Sequence, residues 1–141
     1  MIVLDTDHLS ELQRADSERR RRLVERIEQQ RDRTAATTIL SVEEQLRGRL
    51  ATINRRAPGD AQVVPYQELI DLLDFCCGWI VLPFDQVSAQ RFHDRKAARI
   101  RIGTMDLKIA SIVLTHQATL LSANLRDFRQ VPNLDVQDWL A

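Results

Sequence analysis

Four short apolar runs punctuate this chain, and each stretch between them is long enough for one or more helices. Ile2-Val3-Leu4 is the first, followed by Thr37-Thr38-Ile39-Leu40, Trp79-Ile80-Val81-Leu82-Pro83 and Thr119-Leu120-Leu121-Ser122; Asp135-Val136-Gln137 adds a candidate edge strand. Runs this short, bounded by polar residues, read as strands buried on both faces. Crossovers of helical length imply parallel strands with helices on both sides of the sheet. The expected class is α/β, a three-layer α/β/α arrangement around a central parallel sheet of four to five strands. A length of 141 residues suits one domain, 1–141, and there is no internal repeat or linker to divide it.

The helices can be placed between these runs. Asp16 or Ser17 caps a helix to about residue 29, with Leu23, Val24 and Ile27 as its thin apolar stripe. Ser41-Val42-Glu43-Glu44 opens another, and Pro58-Gly59 ends that stretch. A third, over about 65–77, carries Leu69, Leu72, Leu73 and Cys76 at helical spacing and stops at Gly78. Asp85 or Ser88 begins a helix bearing Arg91, Arg95, Lys96, Arg99 and Arg101. Thr104 caps the next one, expected to run through His116 and apolar on most sides, hence buried. A polar segment over 124–129 follows the fourth strand.

Several function classes drop out. Twenty basic residues balance twenty acidic ones, so net charge names no partner. No apolar run approaches the about 20 residues of a membrane span, and the N-terminus meets Asp5 too soon for a signal peptide. Cys76 and Cys77 are adjacent and have no other cysteine to pair with, so they read as reduced thiols filling a helix core in a cytoplasmic protein. His8, His93 and His116 sit in different elements without ligand spacing and read as surface or half-buried residues. Neither a Gly-rich phosphate loop nor a G-x-S-x-G turn is present.

The carboxylates carry more. Ligands of open parallel sheets bind beyond the carboxyl ends of the strands. Asp5 ends the first strand, Glu44 lies in the first turn after the second, Asp106 in the first turn of the buried helix, and Asn124 and Asp127 just past the fourth strand. These positions converge on one rim. Like charges at close range repel, and a divalent cation relieves that cost; oxygen donors without His or Cys suit Mg²⁺ or Mn²⁺. Each acid also has a structural reading. Asp5 and Asp7 fit a turn or cap, Glu44 fits a capping box with the Ser41 amide, Asp106 complements a helix dipole, and Asp127 fits a cap or a bridge to Arg126 or Arg129.

Ile2-Val3-Leu4-Asp5-Thr6-Asp7, Ser41-Val42-Glu43-Glu44-Gln45-Leu46-Arg47-Gly48, Gly103-Thr104-Met105-Asp106-Leu107-Lys108-Ile109-Ala110, Leu121-Ser122-Ala123-Asn124-Leu125-Arg126-Asp127-Phe128 and the tail from Val131 to Trp139 occur in this order. The ordered set resembles the PIN-domain ribonucleases, specifically the VapC-type toxins of bacterial toxin–antitoxin pairs. By that likeness Asp5, Glu44 and Asp106 stand where the family binds metal, with Asn124 at the fourth position and Asp127 joining the catalytic set. Asp7 stands where the family usually has Asn, and with Thr104 it forms a second rank. The resemblance implies Mg²⁺- or Mn²⁺-dependent endonucleolytic cleavage of RNA by activated water, leaving a 3′-hydroxyl. It also implies a homodimer and a cognate antitoxin protein whose segments occupy the groove beside the acids.

At 3.6 residues per turn Arg91, Arg95 and Arg99 form one stripe, which with Arg126 would hold an RNA backbone beside the acids. A solvated helix face with pairs to Asp94 is the structural alternative. Two other functions stay open: a non-catalytic PIN-like binding module, and an Asp-dependent phosphatase of the haloacid-dehalogenase type, whose D-x-D start Asp5-Thr6-Asp7 matches but whose later acidic pair is absent.

Overall fold

The computed structural model describes residues 1–32 and 34–141. Its chain order is β1 (Ile2–Leu4), α1 (Thr6–Gln13), α2 (Glu18–Glu28), β2 (Ala35–Thr38), α3 (Ile39–Arg55), α4 (Val63–Cys77), β3 (Ile80–Leu82), α5 (Gln86–Ala97), α6 (Thr104–Thr115), β4 (Thr119–Leu121), α7 (Leu125–Phe128) and β5 (Asp135–Gln137), with a 3₁₀ turn over Asp60–Gln62 ahead of α4. The five strands form one sheet in the order β3-β2-β1-β4-β5, every pairing parallel. This is the expected three-layer α/β/α fold.

The central strand explains the layering. Successive side chains of a strand point to opposite faces. Val3 and Leu120 enter a core with Leu40, Leu82, Ile109, Ile112, Val113 and Phe128, while Ile2, Leu4 and Leu121 enter a second core with Leu9, Leu23 and Trp139. Helix α6 therefore covers one face, and α1 and α2 cover the other. Each such side chain, fully buried, contributes about 1.5–3 kcal/mol before chain entropy is subtracted.

Local boundaries shift where caps decide them. Residues 6–13, which the apolar pattern leaves unassigned, are helical because Asp5 caps them: its carboxylate accepts the Thr6 N–H. The second strand ends at Thr38, not Leu40, because the Thr38 hydroxyl accepts the Ser41 N–H and caps α3 three residues ahead of Ser41. The expected capping box is thereby lost, and Glu44 stands in the second turn of α3. Asp85 and Ser17 do cap α5 and α2. Gly103, not Thr104, is the N-cap of α6, which ends at Thr115. Helix α5 closes at Ala97, and Arg99 takes a left-handed conformation (φ 58°) beyond its end. Arg99 and Arg101 thus leave the helix, and the three-arginine stripe does not exist.

Two burial expectations are also corrected. Cys77 is exposed on α4, with Cys76 half-buried, and neither is disulfide-bonded. His8 is fully buried rather than at the surface or half-buried. Among the described residues no helix is long and apolar enough to cross a membrane.

Candidate active site

Strands β1 and β4 are neighbours whose onward connections lead to opposite sides of the sheet, β1 toward β2 and β4 toward β5. A crevice opens beyond the carboxyl ends of two such strands. Asp5 follows β1 and Ser122, Ala123 and Asn124 follow β4, so the crevice is flanked by both segments.

Asp5 is 8% exposed. Beside the Thr6 amide, its carboxylate accepts the Ser122 hydroxyl at 2.9 Å and the Ser41 hydroxyl at 3.4 Å. These donors are neutral. Burial, followed by the charges of Asp7 and Asp106, pushes the Asp5 carboxyl up to about 6 against the pull of the Thr6 and Ser122 hydrogen bonds. Ser41 and Ser122 were legible only as motif members; their hydroxyls prove to hold the central acid.

Asp106 lies in the first turn of α6. Burial raises its carboxyl above the ordinary range, and the charges of Asp127 and Glu44 raise it further. The Asn124 side-chain amide donates to Asp106 and to Asp127, at 3.2 Å each. Asn124 is therefore a neutral bridge between two carboxylates, with its carbonyl oxygen left over. Glu44 is exposed, and its carboxylate accepts the Thr6 hydroxyl at 2.6 Å. None of Asp5, Glu44, Asp106 or Asp127 forms an ion pair among the described residues.

Asp7 is different. Burial works to raise it, but hydrogen bonds from His8 and from the Ala123 N–H hold it below the ordinary carboxylate range. Its oxygens are committed to those donors, so it braces the rim. Thr104 is exposed at the start of α6 and makes no cap bond.

The donor chemistry fits a hard divalent cation: carboxylate oxygens, one spare amide carbonyl, and negative charge raised against itself. Among the described residues the acids do not close into a ready-made set of three ligands. That spacing still suits Mg²⁺, which typically takes one or two carboxylates and keeps several waters.

The basic residues divide. Arg126 is exposed on α7 beside Asp127. Arg91 and Arg95 instead line a cleft with Gln117, Thr119, Asn133 and Asp135. Thr119 and Asp135 begin β4 and β5, so this cleft is at the amino edge of the sheet, opposite the carboxylates. The fold does not bring Arg91, Arg95 and Arg99 together beside the acids.

Helix α4 also carries an exposed apolar face. Val63, Tyr66, Ile70 and Leu73 are each more than half exposed along one face of α4. Nearby, Leu12, Val24, Ile27, Trp79 and Ile80 line a groove of about 580 Å³. The helical spacing of α4 was visible, but apolar residues all round a helix do not say which face the core leaves bare.

No family model matches the chain. It is 37% identical over 60 residues to ribonuclease VapC1 and 42% identical over 38 residues to ribonuclease VapC2, both of Rickettsia felis. Those stretches cover 40% and 27% of this chain and 45% and 28% of the relatives, so less than half the length of either relative is matched. The fold is shared along the whole chain with VapBC-1 of nontypeable Haemophilus influenzae, at TM-score 0.77, 21% identity and full coverage of both chains. A toxin–antitoxin complex from Klebsiella pneumoniae matches at TM-score 0.69 and 16% identity, covering 99% of this chain and 98% of that one. The likeness to VapC-type proteins that the ordered motifs carry is upheld by these similarities.

Proposed function

We propose that this chain, VapC-like in sequence and fold, is a metal-dependent endoribonuclease that acts as the toxin of a toxin–antitoxin pair. The observation that carries the reading is the carboxylate rim at the β1–β4 crevice. Asp5 is buried on neutral donors, Asp106 is raised by burial and by its acidic neighbours, and among the described residues no basic side chain pairs with either. A purely structural protein has no use for so costly an arrangement.

Asp5 and Asp106 would hold Mg²⁺ or Mn²⁺ directly, with Glu44 and the Asn124 carbonyl oxygen at its margin. A divalent cation held there would supply an activated water and would neutralise charge on the scissile phosphate. The residues supply the rest. Ser122, Ser41 and the Thr6 amide fix the Asp5 oxygens. Asn124 keeps Asp106 and Asp127 apart without adding charge, leaving Asp127 free to orient water and accept its proton. Arg126, exposed on α7 beside Asp127, would contact an RNA phosphate next to the reacting one.

A protein partner is part of the proposal. The exposed apolar face of α4 and the groove lined by Leu12, Ile27 and Trp79 are surfaces of the kind that partners cover. The toxin–antitoxin complex from Klebsiella pneumoniae, which shares this fold, supports a cognate antitoxin as the partner. We extend the reading to a homodimer acting in the cytoplasm. The test is incubation of the purified protein with a cellular RNA pool and Mg²⁺, Mn²⁺ or EDTA. Discrete metal-dependent products support the reading; a protein that binds RNA but never cuts it would instead be the binding module.

A further inference from the structure

A fully buried polar side chain near the rim is left unused by the mechanism above. His8 has no exposed surface, and both its ring nitrogens are engaged. The backbone N–H of Trp139 donates to Nε2 at 3.0 Å. Nε2 therefore carries the lone pair, and the proton sits on Nδ1. Nδ1 faces Oδ1 of Asp7, which also accepts the His8 backbone N–H at 2.6 Å. The Asp138 carboxylate is 3.6 Å from Nε2, and it accepts the Leu140 N–H at 2.8 Å.

The other Asp7 oxygen points at the rim. Oδ2 accepts the Ala123 N–H at 2.8 Å and lies 3.5 Å from the Ser122 hydroxyl. Ala123 stands between the two residues that manage the acids: Ser122 donates to Asp5, and Asn124 donates to Asp106 and Asp127. The far end of the chain of contacts is equally fixed. Trp139 is 8% exposed, its indole N–H donates to Gln137 at 2.9 Å, and the Arg26 guanidinium lies 4.4 Å from the ring centroid.

A histidine placed only to fill the core needs an acceptor for its ring N–H, and any carbonyl would serve. Here the partner is a carboxylate whose second oxygen grips the segment that carries Ser122 and Asn124. We propose that His8, with its tautomer set by the Trp139 amide, is a positioning residue for the carboxylate rim, acting through Asp7 on residues 122–124. For its activity readout this rests on the ribonuclease reading; its other readouts do not.

The first test is the ¹⁵N spectrum of the His8 ring in the wild-type protein. The Nδ1-protonated tautomer is expected, and an Nε2-protonated ring would overturn the proposal. The second compares wild type, His8→Leu and His8→Asn for Mn²⁺ affinity by electron paramagnetic resonance and for RNA cleavage. Asn can donate toward Asp7 from near the Nδ1 position; Leu cannot. In His8→Leu, Mn²⁺ affinity and kcat fall about 10-fold or more while KM for RNA stays within about twofold, and His8→Asn recovers most of the loss. A folded His8→Leu protein with unchanged Mn²⁺ affinity and kcat would contradict the proposal. If His8→Leu does not fold, the ring tautomer and the Mn²⁺ affinity of His8→Asn decide, wild-type-like affinity supporting the proposal and a 10-fold loss opposing it. Wild-type protein that cuts no RNA removes the ribonuclease reading but leaves the tautomer and Mn²⁺ tests standing.

Discussion

The Ser122 hydroxyl donates to the Asp5 carboxylate at 2.9 Å, joining residues 117 apart in sequence across the β1–β4 crevice. Removing it with Ser122→Ala leaves the buried carboxylate with one donor fewer. Hydrogen bonds to charged groups contribute about 1.5–3 kcal/mol. The variant should ionise Asp5 at higher pH than wild type, so its cleavage rate should rise with pH along a curve displaced upward. A pH–rate profile identical to wild type would mean that Ser122 does not support Asp5.

Asp106 pays for function with stability. Burial raises its carboxyl, as do the charges of Asp127 and Glu44. Asp106→Asn should therefore abolish RNA cleavage while leaving the metal-free protein as stable as wild type or more so. Urea denaturation without metal checks this, and a variant that is both inactive and strongly destabilised would assign Asp106 a structural role.

Asn124 bridges Asp106 and Asp127 as a neutral donor. Asn124→Asp would place a third carboxylate between them and remove the bridging N–H₂. The Tm of the metal-free variant should drop, and added Mg²⁺ should restore more of it than in wild type. An unchanged response to Mg²⁺ in thermal unfolding would show that residue 124 does not face the cation site.

Stability should depend on pH through Asp5. Its carboxyl is pushed from 3.8 up to about 6, chiefly by burial. A group whose folded pKa is raised contributes stability that is complete below its unfolded pKa and lost as pH rises through its folded pKa. The window is thus pH 3.8 to about 6, and a shift of about two units corresponds to about 3 kcal/mol. Asp7 has the opposite sign: it is held low, so its contribution is present above 3.8 and lost as pH falls. Metal-free protein should lose stability between about pH 4 and pH 6.5, and Asp5→Asn should flatten that slope. Equal slopes in the two proteins would contradict the assignment.

Arg126 is the basic residue of the expected RNA set that remains at the rim. Arg126→Ala should weaken RNA binding and lower the salt slope by about one phosphate contact, whereas Arg91→Ala should leave the slope alone. Filter binding over a salt series measures both.

The sheet was legible because buried parallel strands are short apolar runs, and Ile2-Val3-Leu4 and Thr119-Leu120-Leu121 can be little else. The acids were legible because strand ends fix their side of the sheet: Asp5, Asp106 and Asn124 all reach the same crevice. What escaped the sequence depended on competition between neighbours. Thr38 outcompeted Ser41 as a cap and moved Glu44 into the second turn. Arg99 adopted a left-handed helix end that no periodicity reveals, which dissolved the arginine stripe. His8 reads as a surface or half-buried histidine, since the Trp139 amide that meets its ring is 131 residues away. The bare face of α4 could not be told from its buried one, because both are apolar.

The proposed cleavage of RNA at the carboxylate rim requires both a divalent cation and Asp106. The most direct measurement is the cleavage rate of a cellular RNA pool by purified, partner-free protein in Mg²⁺ or Mn²⁺, against EDTA and against Asp106→Asn shown to be folded. Discrete products are expected with metal and wild-type protein, and none with EDTA or the variant. Products that persist in EDTA, or that Asp106→Asn makes at the wild-type rate, would contradict that requirement.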